Sequence, residues 1–219
     1  MKNIITFLIC VTSFISYSQI GIIKDKDGFT NVRKATSIKS KIVYKLKENE
    51  AFWYNDIGED WIEVFIPQDK FSIEDTDDLM IGGYIHKSRL QKIKNLPTAN
   101  QNEVKFEYIF RKFKRENHID NGDGKFVTKI DGRKIWGTDG NYPKVEIEKI
   151  NASISNKIIE IHKVLFLDLF ECDTNINKYK NGNTYFIYQN CSDGAGGYEL
   201  LWVINKKNGL TQRLVGSII

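Results

Sequence analysis

The sequence predicts a mainly β protein, of the β to α+β class, with a small β-barrel followed by an antiparallel-sheet domain. Short runs rich in β-branched and aromatic residues recur along the 219 residues, and such runs are typical of strands. Asp-Gly and Asn-Gly pairs separate several of these runs, which is the strongest local signal for a hairpin. In the first half, no run of twelve or more residues keeps a helical spacing, so strands rather than helices are expected there.

The first eighteen residues predict a secretory signal peptide. Lys2 precedes an apolar run at residues 4–15, and the small residues Ser16 and Ser18 follow it, in the three-part order of a cleaved leader. The run is too short for a transmembrane helix, which needs about 20 apolar residues. A buried N-terminal strand or helix is the alternative. We expect cleavage near Ser18, a secreted or periplasmic mature protein, and no membrane span.

Charge and metal-ligand spacing argue against two classes of partner. The chain carries 32 basic and 28 acidic residues, for a net charge of +4, which is too mixed to indicate nucleic acid. Its three histidines are scattered, with no H-x-x-x-H or C-x-x-C pair, so no metal or other cofactor is expected. Nothing in the sequence indicates the oligomeric state.

A proline and small polar residues without hydrophobic periodicity divide the chain near its middle. Residues 94–102 are therefore expected to form a linker. It would join a barrel domain at residues 19–93 to an antiparallel β-rich domain at residues 103–219, each of ordinary domain size.

Four strands are expected in the first half, and a small barrel is their natural closure. They lie at residues 42–44, 51–54, 61–66 and 82–86.

The order of motifs in this half resembles bacterial SH3-like domains over about residues 22–92. Residues 28–33 (GFTNVR) resemble the G-x-x-N-V-R opening of that family, and residues 61–64 (WIEV) resemble its W-x-x-V strand. Residues 83–90 (GYIHKSRL) are similar to its G-y-V-h-x-s-x-L ending. One departure is an insertion at residues 67–79, which could reshape or cover a binding groove. Its acidic stretch at residues 74–78 is expected to be a solvated loop rather than a calcium site.

The resemblance implies recognition of cell-wall peptides or protein partners through aromatic residues on one face. The candidate ligand-binding residues are Trp53, Tyr54, Trp61 and Tyr84. Trp61 is most simply a core residue. Three consecutive aromatic residues at 52–54 cannot all point inward from a strand, so Trp53 is expected on the outside or at a rim. The alternative is that Trp53 covers an apolar edge or packs on the second half.

The second half is expected to contain three hairpins and a mainly antiparallel sheet. Residues 184–189 predict another strand, and residues 104–113 favour a strand over a helix. Residues 164–170 fit either a short helix or a buried strand. The hairpin turns are predicted at Asp131-Gly132, Asn156-Lys157 and Asn208-Gly209.

Cys172 and Cys191 are the two cysteines of the mature chain, and an oxidising compartment favours a disulfide between them over two buried thiols. The bridge would bring two acidic loops together. A candidate loop site would then comprise Asp139, Asp168, Glu171, Asp193 and Tyr198. The alternative is structural, because aspartates and glycines commonly form turns.

These observations favour a secreted cell-envelope protein that binds peptidoglycan peptide or a protein partner and is not an enzyme. One alternative is an inhibitor of a cell-wall hydrolase or toxin, acting through the loop at residues 192–198. Another is a cell-wall hydrolase that uses acids such as Asp139 and Asp193. Cys191 is not expected to be a peptidase nucleophile, because no histidine follows it in the sequence.

Overall fold

The computed structural model describes residues 19–58, 60–73, 79–119, 126–192 and 194–217. The predicted signal peptide, the acidic stretch at residues 74–78 and Asp193 lie outside the described residues. The described part holds sixteen β-strands joined by turns and three-residue 3-10 helices. The predicted mainly β class with antiparallel pairing is therefore confirmed.

Seven strands of the first half form one antiparallel sheet in the order β3-β2-β6-β5-β4-β1-β7. The four predicted strands correspond to β3 to β6. The strands are β1 (Gln19–Ile23), β2 (Phe29–Arg33), β3 (Ile42–Lys47), β4 (Phe52–Asp56), β5 (Trp61–Pro67), β6 (Met80–His86) and β7 (Leu90–Lys92).

This sheet curls around a core to which β1 to β6 all contribute. Alternation along β5 directs Ile62, Val64 and Ile66 inward, where each is at most 1% exposed, as the two-residue period of a strand requires. The hydrogen-bonding order nevertheless begins at β3 and ends at β7. The expected barrel is therefore a curled sheet whose described strands do not form a closed ring of hydrogen bonds.

Gly83 allows β6 to cross close to β2. A Cβ at this position would lie 2.5 Å from a methyl carbon of Val32 and 2.8 Å from the carbonyl oxygen of Arg33. A larger residue would therefore push β6 away from the single position, Arg33 opposite Tyr84, at which β2 and β6 pair.

The second half contains a four-stranded sheet, a three-stranded sheet and a short hairpin, all antiparallel. The sheet orders are β13-β14-β15-β16 and β12-β11-β8, and β9 pairs with β10. The strands are β8 (Val104–Lys112), β9 (Lys129–Ile130), β10 (Arg133–Lys134), β11 (Val145–Ile154), β12 (Lys157–Ile159), β13 (Asn177–Asn181), β14 (Thr184–Cys191), β15 (Tyr198–Asn205) and β16 (Gly209–Ser217).

All three predicted hairpins are present, but the turn expected at Asn156-Lys157 lies one residue earlier, because Lys157 belongs to β12. Ser155 and Asn156, with φ of 47° and 67°, form the two-residue turn between β11 and β12, and two consecutive positive φ values are typical of a type I′ turn. The favoured strand at residues 104–113 is β8. Residues 164–170 form neither predicted alternative. A 3-10 helix at Lys163–Leu165 is followed by isolated bridges at Leu169 and Phe170.

The core of the second half lies between its two larger sheets. Phe106 and Tyr108 of β8 face Trp202 of β15, which is fully buried. The indole Nε1 of Trp202 donates a hydrogen bond of 2.9 Å to the hydroxyl oxygen of Tyr108. This bond joins the two sheets across the core and satisfies a polar group that would be costly to bury alone.

The two halves pack against each other through a further apolar cluster. Ile20 and Trp53 from the first half meet Phe186, Leu201 and Leu214 from the second. The predicted linker lies on the second half as well, because Ala99 N donates to Lys178 O at 2.8 Å and Lys180 N donates to Pro97 O at 2.9 Å.

Polar contacts also cross between the halves. The side chain of Gln212 bonds both the backbone N–H and the carbonyl oxygen of Ala51, each at 2.8 Å. Among the described residues, no helix is long and apolar enough to span a membrane.

Candidate functional site

Trp53 lies on the outward face of β4 but is covered by the second half of the chain. Its side chain is 5% exposed, and it packs so closely on Gly216 of β16 that a Cβ there would lie 2.7 Å from the indole ring. The expected exposure of Trp53 was therefore wrong, and the packing alternative describes its position. A ligand at the surface does not reach this ring.

Tyr54 points into the core of the curled sheet. It is 1% exposed, and its hydroxyl hydrogen-bonds Oε1 of Gln19 on the neighbouring strand β1. Its neighbours Phe52 and Trp53 alternate as a strand requires, with Phe52 inward and Trp53 outward. Tyr54 consequently does not share a surface with Trp61 and Tyr84.

Trp61 lies on the outer face of the sheet and not in the core, so its simplest interpretation from sequence was wrong. It is half-buried at the start of β5, and its neighbour Ile62 is the residue that faces inward. Tyr84 of β6 is also half-buried on the outer face, next to the inward-facing Ile85. Of the four predicted residues, the structure brings these two together.

The register of the strands surrounds Trp61 and Tyr84 with polar side chains. Trp61 is opposite His86, with ring centroids 5.7 Å apart and planes at 78°. Tyr84 is opposite Glu63 on one side and Arg33 on the other. Opposite residues on one face lie about 4.5–5.5 Å apart between Cβ atoms, and diagonal neighbours about 7–8 Å. We call these five side chains the outer aromatic face.

Two of its polar members are held in place by local hydrogen bonds. Nη1 of Arg33 donates to the carbonyl oxygen of Ser40 at 2.9 Å, and Nδ1 of His86 is 2.8 Å from Oγ of Ser88. The face therefore combines two aromatic rings, a carboxylate and a guanidinium, and the guanidinium is held by the bond to Ser40. Such an arrangement can bind a peptide by ring contact and charge pairing, without a covalent step.

Sequence reasoning did not select Glu63, Arg33 or His86. Period-two alternation would have identified two of them, because positions 61 and 63 share one face of β5, and positions 84 and 86 share one face of β6.

The described part of the insertion contacts the second half, since Arg213 N donates to Lys70 O at 2.9 Å.

The predicted disulfide between Cys172 and Cys191 is present, with Cα atoms 4.6 Å apart. It joins the segment after the Leu169 and Phe170 bridges to the end of β14. The two predicted loops are therefore adjacent in space, as expected from the bridge.

The candidate loop site does not form one acidic surface. Asp168 is 3% exposed, and its Oδ2 accepts a 2.6 Å bond from Nη2 of Arg213 inside the protein. Glu171 accepts hydrogen bonds from the backbone N–H groups of Lys144 and Val145. Asp139 is exposed, and Asp193 lies outside the described residues. Asp168 and Glu171 thus follow the structural alternative.

Tyr198 is also part of the packing and is not accessible. It is fully buried, and its hydroxyl donates to the carbonyl oxygen of Phe170 at 3.0 Å. The hydroxyl oxygen of Tyr198 also lies 2.8 Å from Sγ of Cys172. Burial raises the pKa of Tyr198 well above its usual value, so this phenol stays neutral and serves to hold the two loops together.

Arg213 is a buried, ion-paired side chain that sequence reasoning did not select. It is fully buried on β16, and its Nη1 donates to the carbonyl oxygen of Phe71 at 3.2 Å, while Nη2 pairs with Asp168. Arg213 is the one charged residue in the run 210–215 (LTQRLV), and this was the available signal, because a buried charge needs a partner. The geometry gives it a structural role between the halves.

His118 sits between two carboxylates at the end of β8. Its Nδ1 is 2.8 Å from Oδ2 of Asp131, and its Nε2 is 3.2 Å from Oε2 of Glu146. Burial acts against ionisation of Asp131, but hydrogen bonds from Ile119 N and His118 outweigh it and lower the Asp131 pKa. The cluster fixes the β9–β10 hairpin. No trio of His, Cys, Asp or Glu among the described side chains is arranged to hold a metal ion.

Comparison with known proteins does not assign this chain to a family. The chain matches no family model, no curated protein and no solved structure at a significant level.

Proposed function

We propose that this protein binds a partner non-covalently at the cell envelope, with the outer aromatic face as the contact surface. The partner is a peptidoglycan peptide or a peptide segment of an envelope protein. The observation that carries the proposal is that Trp61 and Tyr84 are diagonal neighbours on the partly exposed outer face, while Trp53 is covered by the second half. Aromatic residues that remain accessible in this way are enriched at binding hot spots.

The charges around the rings support a peptide as the ligand. Glu63 and Arg33 lie on the strands to either side of Tyr84, so the face presents a carboxylate and a guanidinium from strands about 10 Å apart. A peptide that carries both amino and carboxylate groups could pair with both, and Arg forms strong, directional bonds with carboxylates.

The disulfide supports a location outside the cytoplasm. Bridges of this kind persist in oxidising compartments and are rare where thiols are kept reduced. Together with the predicted signal peptide, the Cys172–Cys191 bridge favours a secreted or periplasmic protein.

Co-sedimentation with insoluble peptidoglycan, and crosslinking in the native envelope, test the proposal. The Trp61→Ala and Tyr84→Ala variants should each weaken binding by about tenfold or more without loss of the folded state by circular dichroism. Ile38→Ala is the matched control, because Ile38 is 73% exposed in the same half and lies outside the outer aromatic face.

Two results would overturn this function. One is that the wild type neither sediments with wall material nor crosslinks to an envelope protein. The other is that the Trp61→Ala and Tyr84→Ala variants bind as tightly as the Ile38→Ala control.

Inhibition of a cell-wall hydrolase is the second candidate, because the described part of the loop after Cys191 is anchored at Ser192 and exposed at Gly194 and Ala195. Ser192 Oγ donates to Gly137 O at 2.8 Å, and Gly194 and Ala195 are exposed. A pre-ordered loop binds at a lower entropic cost. An Ala195→Arg variant should lose inhibition in muramidase and peptidase assays, and absence of inhibition by the wild type would end this candidate. The hydrolase alternative with Asp139 and Asp193 stays a prediction, which zymography on wall material tests.

A further inference from the structure

A groove in the second half, remote from the outer aromatic face, lies beside the edge strand β12. The cavity is about 470 Å³ and lies between β12, the 3-10 turn at Lys163–Leu165 and the β15–β16 turn. Its apolar lining is Phe71, Ile158, Ile159, Val164, Leu165 and Leu210. We call this cavity and the adjoining strand edge the β12 groove.

Strand β12 has an unpaired edge in the described structure. It is the terminal strand in the order β12-β11-β8 and pairs only with β11. The pair Ile154 and Lys157 flanks the two-residue turn and is therefore a hydrogen-bonded pair, so the next pair, Ser153 and Ile158, is not. The N–H and C=O groups of Ile158 consequently point away from β11, toward the open edge.

Unusually exposed apolar side chains accompany this open edge. Ile158 is 81% exposed and Val164 is 47% exposed. Exposed strand edges usually carry charges or a covering element, because an apolar edge favours pairing with another strand. An isoleucine on an open edge beside an apolar cavity therefore indicates an interaction surface.

Positive charge predominates at the rim of the groove. Lys157 and Lys207 line it, and Nζ of Lys157 is fixed by a 3.2 Å bond to Lys206 O. Glu160 is the one acidic residue among the described residues that line the groove, and its carboxylate lies 3.6 Å from Nδ1 of His162. The surplus of lysine favours an occupant that carries carboxylates.

We propose that the β12 groove binds an extended, acidic peptide segment of a partner protein by strand addition. The added strand would hydrogen-bond the open N–H and C=O of Ile158, as in β-augmentation. Its apolar side chains would cover Leu165 and Leu210, and its carboxylates would pair with Lys157 and Lys207. This inference is independent of the proposed function, because the open strand edge and the lysines that it uses belong to the second half and none of them is part of the outer aromatic face.

The test uses a capped synthetic peptide in which valine alternates with glutamate, and its affinity is measured by fluorescence anisotropy. Ile158→Lys and Lys207→Glu should each weaken binding by about tenfold. The matched controls are Ile38→Lys and Lys39→Glu, which alter an equally exposed isoleucine and lysine in the other half and should leave the affinity unchanged. Amide exchange of Ile158 should slow when the peptide binds.

Two further peptides distinguish strand addition from non-specific binding. A peptide with lysine in place of glutamate should bind more weakly, and one with alternate backbone N-methyl groups should not bind, because it cannot pair with an edge. The proposal fails if the wild type does not bind the acidic peptide, or if either altered peptide binds equally well. It also fails if light scattering shows that the chain dimerises until Ile158→Lys is introduced, since the occupant would then be a second copy.

Discussion

The Arg213–Asp168 pair joins three parts of the molecule, and one substitution can test its contribution. Arg213 on β16 is fully buried and reaches Asp168 in the loop before Cys172. It also holds the insertion of the first half through the carbonyl oxygens of Phe71 and Ser72. The Arg213→Met change keeps a side chain of similar length and removes these polar contacts.

The expected cost follows from the burial of the remaining carboxylate. Asp168 is 3% exposed, and its second oxygen, Oδ1, has no hydrogen-bond partner among the described residues. Breaking a buried ion pair from one side costs about 3–5 kcal/mol, because it leaves an uncompensated charge. A whole domain has a free energy of unfolding of about 5–15 kcal/mol, so the variant should be severely destabilised.

Urea denaturation followed by tryptophan fluorescence measures this cost. Lys87→Met is the control, because the exposed Lys87–Asp56 pair should contribute less than about 1 kcal/mol. In the double variant Arg213→Met with Asp168→Leu, much of the stability should return, because no buried charge remains unpaired. The reasoning is refuted if Arg213→Met costs less than about 1 kcal/mol, or if the double variant is no more stable than the single one.

Three further measurements address the disulfide, a buried acid and the contact between the halves. Reduction of Cys172–Cys191, which are separated by 19 residues, should lower the free energy of unfolding by about 3 kcal/mol; an unchanged melting temperature in reductant would contradict this. Burial raises the pKa of Glu199 above 4.5, so its contribution to stability is greatest below that pH and falls as pH rises through the folded-state pKa. Glu199→Gln should therefore gain stability relative to the wild type as pH is raised toward neutrality, and a difference independent of pH would disprove the burial effect. Trp53→Ala should cost about 3–5 kcal/mol in urea denaturation, whereas a ring exposed at a rim would cost far less.

Local turn chemistry explains why the hairpins could be predicted from sequence. An Asn-Gly or Asp-Gly pair sets the backbone conformation with residues adjacent in the chain, so Asp131 and Asn208 were informative on their own. The segment at residues 164–170 was not, because its apolar run has no clear period and its bridges to Trp136 and Glu146 come from distant segments.

The misplaced aromatic residues show two different limits. Trp61 was assigned to the core, but it is an odd number of residues from the inward-facing Ile62 and Val64, and such positions point to opposite faces of a strand. The apolar residues Ile62, Val64 and Ile66 all lie at even positions, so Trp61, at an odd position, lies on the opposite face of the strand. This could have been predicted from the sequence. The covering of Trp53 could not, because it depends on Gly216, a residue more than 160 positions away.

Buried polar pairs were beyond prediction for a similar reason. The residues around Asp168 are typical of a turn in which an aspartate is exposed to solvent. Its partner Arg213 lies 45 residues further along the chain. Nothing local distinguishes an aspartate that faces solvent from one that faces a guanidinium. The acidic surface expected from the disulfide therefore failed, although the disulfide itself was correctly predicted.

The packing of the halves determines which surfaces can bind. Because β16 covers Trp53, the first half retains Trp61 and Tyr84 as its accessible tryptophan and tyrosine on that face. Because Phe71 comes from the insertion of the first half and is held by Arg213, it supplies one wall of the β12 groove in the second half. The same buried guanidinium thus supports a surface it does not line. If the chain were cut near residue 94, the isolated first half would expose Trp53, and the β12 groove of the isolated second half would lack the wall formed by Phe71.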